Sequence, residues 1–380
     1  MHAESRITFL FNYGRVDRLD DGTPDEFFYG YRNLVRAGID AALLETHPPS
    51  RGLVAEDGTV LAPPRPVQWL SRVLNRRVPA QVLRVLQLGF CAVPALRGSA
   101  AIVCITSPWL HAMRVLRLLA LVRRPTVGVV IGPFPAASGL RTRLRNRLRR
   151  WLDSGSDLVF IGEGDIRAYL ANINPSPKSA TLIQFGIDTR FWHPAADGQG
   201  GGYAFAIGNA GRDYATLLAA WEGCETPLEI VTSRLDPDGD YPPAVRARHG
   251  IWHSSEISDA DVRALFQGAR FVITPLQESS QPCGQSATLQ AMACGKPVIL
   301  TRTTGLWDSV HLRHMDNCLL VEPGDANGLR DAVARLDSDD ALRRRIGANA
   351  RAAVERHFSS DMFADRLRAL VESLVPPRSA

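Results

Sequence analysis

Short apolar runs rich in β-branched residues alternate along this chain with longer stretches whose apolar positions recur every three to four residues. The runs read as buried strands and the spaced stretches as amphipathic helices. The pattern predicts strands at 6–11, 39–44, 100–106, 125–131, 157–161 and 181–185, and again at 203–207, 228–232, 251–254, 271–274, 298–300 and 317–321. It predicts helices at 26–37, 67–96, 107–122, 141–153, 164–171, 215–221, 241–249, 258–268, 287–294, 326–336, 342–358 and 361–375. Residues 48–66, rich in Pro and Gly, read as a loop. Ser258 with Asp261 fits a capping box, and Ser286 fits an N-cap to a helix that stops at Gly295. Strand–helix–strand alternation builds parallel sheets covered by helices, so the expected fold class is α/β. In such sheets ligands sit at the carboxyl ends of the strands.

A length of 380 residues suggests two domains more readily than one. A hydrophobic content of 45% and a mean hydropathy of −0.07 describe a soluble globular protein. No apolar run reaches ~18 residues without a charge, and the start MHAESRITFL lacks the form of a secretory signal. The six cysteines, Cys91, Cys104, Cys224, Cys283, Cys294 and Cys318, form no CxxC pair, and several sit inside apolar segments and read as buried free thiols. A reduced cytoplasm is the expected setting. The net charge of +5 comes mainly from arginine, which suits phosphate-bearing ligands or an anionic membrane surface. It is too small to argue for nucleic acid.

The most specific signal lies in residues 271–301, FVITPLQESSQPCGQSATLQAMACGKPVILT. Ala291, Met292, Ala293, Gly295, Pro297 and Val298 stand in an order that resembles the donor-sugar motif of the retaining glycosyltransferases of family 4. In that family a Glu, a glycine-containing loop and a second Glu lead into Ala-Met-Ala-x-Gly-x-Pro-Val. Residues 186–194, GIDTRFWHP, resemble the family's Gly-Val-Asp-x-x-x-Phe-x-Pro marker at the exit from the first domain. The resemblance implies the GT-B fold, two Rossmann-like, doubly wound parallel-sheet domains facing across a cleft. Residues 1–186 would form the acceptor-side domain, 187–202 the linker and 203–358 the donor domain. A last helix in 359–380 would pack back on the first domain.

The resemblance also implies a chemistry: transfer of a hexose-type sugar from a nucleoside-diphosphate sugar to an acceptor hydroxyl, with retention; no metal or cofactor is expected, because no DxD-like pair stands in a convincing place. The acceptor would be a lipid-linked or other cell-envelope glycan, or a small natural product. Arg212 falls where the family has a Lys that holds the donor diphosphate, and Asn209 where it has an Arg. Gln290 replaces the Glu that binds the ribose hydroxyls. It can still hydrogen-bond them, but without charge assistance. Glu278 and Gln281 lie nearest the first Glu, neither in register, and with Arg212 they are the catalytic candidates. Cys283, Gly284, Gln285 and Ser286 would line the donor, with Gly14 or Gly22 approaching from the first domain. His253 and Ser254 are candidates for the nucleobase. The His that family members carry after strand 125–131 is replaced by Gly132-Pro133, leaving backbone groups or Ser138 for any sugar contact. Asp236-Pro237-Asp238 has the spacing of a metal pair but lies in a Pro/Gly loop and reads as a turn. Two other readings stand beside this one. A catalytically impaired relative, acting as a binding or partner subunit, is motivated by Gln290, Asn209 and the missing His. A sugar-nucleotide epimerase of similar fold would need acids and bases over the sugar, and no clear set is present.

The stretch 140–152 is the most basic: six arginines interrupt Leu140, Leu144, Leu148 and Trp151 at helical spacing in 140–153. Its apolar stripe could dock on anionic lipid, as in a membrane-surface protein, or pack on the sheet with the arginines in water.

Overall fold

The computed structural model describes residues 6–12, 14–19, 22–46, 53–61, 80–132, 134–196, 201–250 and 257–375. They form two compact units: Met1–Ile161 with Ile166–Ile183 and Phe363–Ala380, and Gln184–Met362 with Gly162–Asp165. Each unit has its own parallel sheet and its own apolar core.

The first unit runs β1 (Ile7–Phe11), α1 (Tyr31–Arg36), β2 (Ala41–Thr46), β3 (Leu53–Ala55), β4 (Val60–Leu61), α2 (Ala80–Arg97), β5 (Ala101–Cys104), α3 (Ser107–Leu118), β6 (Thr126–Val130), α4 (Leu140–Asp153), β7 (Asp157–Phe160), α5 (Glu163–Asn172) and β8 (Ser179–Leu182). The strand order is β4-β3-β2-β1-β5-β6-β7-β8. From β2 to β8 the pairing is parallel; β3 and β4 are antiparallel at the edge. The apolar runs are interior strands because every residue of β1, β5, β6 and β7 is buried.

Several expectations are corrected here. The loop 48–66 contains β3 and β4, since Leu53 and Val54 pair with Thr46 and Glu45 at the end of β2. The helix expected at 26–37 breaks in two. Residues Asp25–Phe28 form a 3₁₀ turn, and the positive φ of Tyr29 (47°) and Gly30 (86°) restarts the chain as α1. Gly30 also lets the last helix approach, as a Cβ there would meet the Ala364 Cα at 3.2 Å. Of the helix expected at 67–96, residues 67–79 lie outside the described residues.

In α4 the stripe does not pack on the sheet. Leu140, Leu144, Leu148 and Trp151 are exposed, whereas Asn146 and Asp153 are the buried side chains. Asn146 donates to the Pro135 and Asn172 carbonyls at 3.2 and 3.1 Å. Asp153 accepts from the Tyr169 hydroxyl at 3.0 Å and lies 3.1 Å from His111 Nε2. The inward face is thus satisfied by polar bonds, and the leucines are left to solvent.

The second unit runs β9 (Tyr203–Ile207), α6 (Tyr214–Ala220), β10 (Leu228–Val231), β11 (Val245–Arg248), α7 (Asp259–Gly268), β12 (Ala269–Thr274), α8 (Gln285–Ala293), β13 (Val298–Thr301), β14 (Leu319–Val321), α9 (Ala326–Ser338) and α10 (Asp340–His357). A final helix, α11 (Ser360–Leu374), lies mostly in the first unit. The order β11-β10-β9-β12-β13-β14 is wholly parallel. It reverses direction between β9 and β12, as in a doubly wound nucleotide-binding sheet.

The helix expected at 241–249 is instead β11: Val245 and Ala247 are buried, Arg246 and Arg248 exposed, a two-residue period. Pro242 and Pro243 just before it also disfavour a helix. The capping box at Ser258 and Asp261 is present in full. The start of α8 is not Ser286. Gly284, at φ 79°, occupies the N-cap position and Ser286 lies inside the first turn. The segment 186–194 folds around Asp188, whose Oδ1 accepts from the Arg190 and Phe191 amides at 3.0 and 3.3 Å. Arg351 of α10 ties it to the end of α8, donating to the carbonyls of Trp192 and Ala293, each at 2.6 Å.

Candidate functional site

The loops leaving β9 and β12 meet at the point where the strand order of the second sheet reverses. Such a point opens a crevice beyond the strand ends. The two loops are stitched together. The Gln277 amide donates to the Gly211 carbonyl at 2.9 Å, the Asp213 amide to the Pro275 carbonyl at 3.0 Å, and Arg212 bridges to Leu276.

Arg212 sits in this junction and is only 6% exposed. Its Nε donates to the Ile207 carbonyl at 3.0 Å and its Nη1 to the Ala210 carbonyl at 3.2 Å. Two glycines make room for it. A Cβ on Gly208 would lie 2.6 Å from Arg212 Nη2, and one on Gly284 would lie 3.3 Å from Nη1. Both glycines have positive φ, so the space and the backbone demand the same residue. The guanidinium therefore lies between the end of β9 and the start of α8. Burial pushes it below its ordinary basicity, yet a guanidinium keeps its proton. Among the described residues no carboxylate pairs with it. A buried cation without a counter-charge is a costly arrangement that a bound anion relieves.

The first turn of α8 adds to this. Its leading amides have no carbonyl one turn back, and its N-cap, Gly284, has no side chain to cap them. Cys283, Gly284 and Ser286 are partly exposed, so the start of the helix is open; Gln285 is buried. The amide-bearing end of a helix and its dipole favour an anion at that point. The Cys283 thiol lies beside Gly211, where a Cβ would approach its Sγ to 2.8 Å. Burial raises that thiol, with Arg212 pulling the other way.

The remaining candidates divide. Asn209 turns its Oδ1 to the Ser233 amide at 2.8 Å and the Thr232 hydroxyl at 2.7 Å, locking the ends of β9 and β10 together. Glu278 accepts from the Thr304 amide at 3.1 Å, so its carboxylate fastens the loop after β12 to the loop after β13. Gln281 is partly exposed in the same loop. Gln290 is fully buried within α8. Gly14 belongs to the first unit, where it has φ 89° and open space on its Cβ side. The neighbouring Arg15 amide donates to Glu45 at 2.6 Å, which anchors that loop. His253 and Ser254 lie outside the described residues. Asp236 accepts from the Asp238 amide at 3.1 Å, and this pair makes a turn.

Two charged residues join the site that motif spacing did not single out. Arg234, after β10, donates to the Asn209 carbonyl at 3.3 Å. It stands near Tyr214, whose hydroxyl burial makes less acidic while Arg212 and Arg234 oppose that shift. Asp165 is buried in the segment 162–165, which packs on this loop: a Cβ on Gly162 would meet the Pro282 Cβ at 3.0 Å. No local pattern marks either one; strand order brings Arg234 to β9, and tertiary packing brings Asp165 to the loop.

Residues 235–339 match the model of the family described as Glycosyl transferases group 1. Over this segment the chain is similar to the group 1 glycosyltransferases. N-acetyl-alpha-D-glucosaminyl L-malate synthase of Bacillus anthracis is 35% identical over 82 residues, 22% of this chain and 21% of that one. The lipopolysaccharide core biosynthesis glycosyltransferase LpsD of Rhizobium meliloti is 32% identical over 114 residues, 30% of this chain and 32% of that one. The chain thus spans about a fifth to a third of these relatives' length. A solved structure described as trehalose-6-phosphate from E. coli, bound with UDP-2-fluoro glucose, superposes with a TM-score of 0.71. It covers 98% of this chain and 100% of that one at 11% identity. The fold is GT-B over nearly the whole chain. Among the described residues no helix is long and apolar enough to cross a membrane.

Proposed function

We propose that this chain transfers a hexose-type sugar from a nucleoside-diphosphate sugar to an acceptor hydroxyl, with retention of configuration and without a metal ion. The observation that carries the proposal is the buried Arg212 guanidinium, with no carboxylate beside it, next to the glycine-led start of α8. Stretching the bond from the sugar C1 to the phosphate oxygen leaves growing negative charge on the diphosphate. A fixed cation and aimed amides stabilise that charge more in the transition state than in the ground state. Arg234 adds a second, exposed cation at the same strand ends. The positive charge a metal would bring is supplied here by arginine and by the helix. Retention follows the family resemblance of the 284–298 motif. A panel of sugar nucleotides with NMR of the product tests the proposal. The expected outcome is turnover of at least one donor, with the anomeric configuration kept. Binding without turnover would favour the impaired relative, and an inverted product would overturn retention.

The acceptor is proposed to be carried at a membrane surface, as a lipid-linked or envelope glycan. Support comes from α4. Leu140, Leu144, Leu148 and Trp151 share one exposed face, and exposed arginines at 141, 143, 145, 147 and 150 flank it. Apolar insertion is worth up to ~1.5–3 kcal/mol per leucine when complete, and each arginine near an anionic surface adds about 1 kcal/mol. The name of the Rhizobium meliloti relative points the same way. The protein is expected to sediment with vesicles containing anionic lipid, and Leu144→Ser with Leu148→Ser to lower that binding about tenfold or more. Both side chains are exposed, so the melting temperature should hold. Unchanged sedimentation of the double variant would remove α4 from the account.

A further inference from the structure

The second sheet carries another pocket, of about 480 Å³, at its opposite end. Its lining includes Gly201 just before β9, Arg270 at the start of β12 and Pro297 just before β13. These mark the amino ends of three adjacent parallel strands, whereas Arg212 lies beyond the carboxyl ends. Strands of five and six residues, at ~3.3 Å per residue, put roughly 15–20 Å between the two places. The pocket is therefore separate from the donor site.

Its charge is strongly one-sided. Arg270, Lys296, Arg343 and Arg344 line it against the single carboxylate of Asp340. Two of the cations are held rigidly. Arg343 donates to the Asp337 carbonyl at 2.8 Å and pairs with Asp340; Arg270 donates to the Gly201 carbonyl at 3.0 Å and pairs with Asp337. Lys296 and Arg344 have no carboxylate partner among the described residues. Burial depresses the Lys296 ammonium, as expected for a cation short of counter-charge. Fixed guanidinium forks beside adaptable cations suit an anion that accepts several hydrogen bonds at once. A phosphate group does so; a lone carboxylate would satisfy only part of the set. The volume lies in the ~300–1,000 Å³ range of small-molecule sites, larger than a bare phosphate needs.

We infer that this pocket binds a phosphate-bearing small molecule, at a site distinct from the one that holds the donor. The inference does not rest on the transfer reaction proposed above. The test is calorimetric titration of the full-length Arg212→Ala variant, in which the donor site is weakened, with glucose 6-phosphate and with inorganic phosphate. Glucose 6-phosphate should bind, and more tightly than phosphate. Adding Lys296→Ala and Arg344→Ala should weaken it about tenfold or more, since each removes a cation that supports no other side chain. In the chain with Arg212 intact, the same two substitutions should leave nucleoside-diphosphate binding unchanged. Equal affinity for the two probes would overturn the small-molecule part of the inference. No binding of either, or identical titration of the triple variant, would overturn the site itself.

Discussion

Replacing Arg212 by alanine is expected to lower kcat/KM for the donor about 10²–10³-fold, the range found when one preorganised charge donor at a developing anion is removed. Stability should respond far less. The variant loses bonds to the Ile207 and Ala210 carbonyls, which is unfavourable. It also loses a buried cation with no carboxylate beside it, which is favourable. The two effects oppose each other, so a large loss of activity would accompany a small change in Tm. Arg212→Lys should recover only part of the rate. An ammonium keeps the charge but cannot hold two carbonyls and present a fork to phosphate oxygens together. Steady-state kinetics with the best donor from the panel reads this directly, and near-normal turnover in Arg212→Ala would remove the residue from the mechanism.

The second large effect is expected at Gly305. Its amide donates to the Ser279 carbonyl at 2.7 Å, and a Cβ there would lie 2.6 Å from the same oxygen and press on the Gln281 carbonyl. Backbone atoms cannot rotate aside as a side chain can. Gly305→Ala must therefore push the stretch around Ser279 and Gln281 outward. That stretch leads straight into Gly284 and the start of α8, and Glu278 fastens it to Thr304. Overpacking of this kind costs about 1–3 kcal/mol, or roughly 3–10 °C in Tm for a unit of this size. Donor kcat/KM should fall at least about tenfold, as sub-ångström misplacement at a phosphate site is costly. Gly202→Ala is the matched control: nothing lies within 4 Å of its Cβ position. Equal Tm and activity in the two variants would show that the loop is not held as described.

Much of this architecture can be read along the chain because buried parallel strands write themselves as apolar runs. β1, β5, β9, β12 and β13 all fall where the runs are. The site motif is legible for a similar reason: Gly284 and Gly295 must be glycine for the backbone to enter and leave α8 as it does, with φ of 79° and 72°. What fails to show is what depends on neighbours distant in sequence. β11 looked like a helix because two exposed arginines between small apolar residues suit either period. The α4 stripe could face either way until Asn146 and Asp153 were seen to satisfy the inward side. Arg234 joins Arg212 only because β10 lies next to β9. The basic pocket gathers residues 201, 270, 296 and 343, from four separate segments.

A lone buried guanidinium and the start of one helix are proposed to grip the diphosphate of the donor. Thermal melting with a series of nucleoside diphosphates, run side by side on the unmodified chain and on Arg212→Ala, tests this most directly, because a ligand that binds only the folded state raises Tm by mass action. One diphosphate is expected to raise Tm in the unmodified chain, and the rise to disappear in Arg212→Ala. An equal rise in both proteins would contradict it.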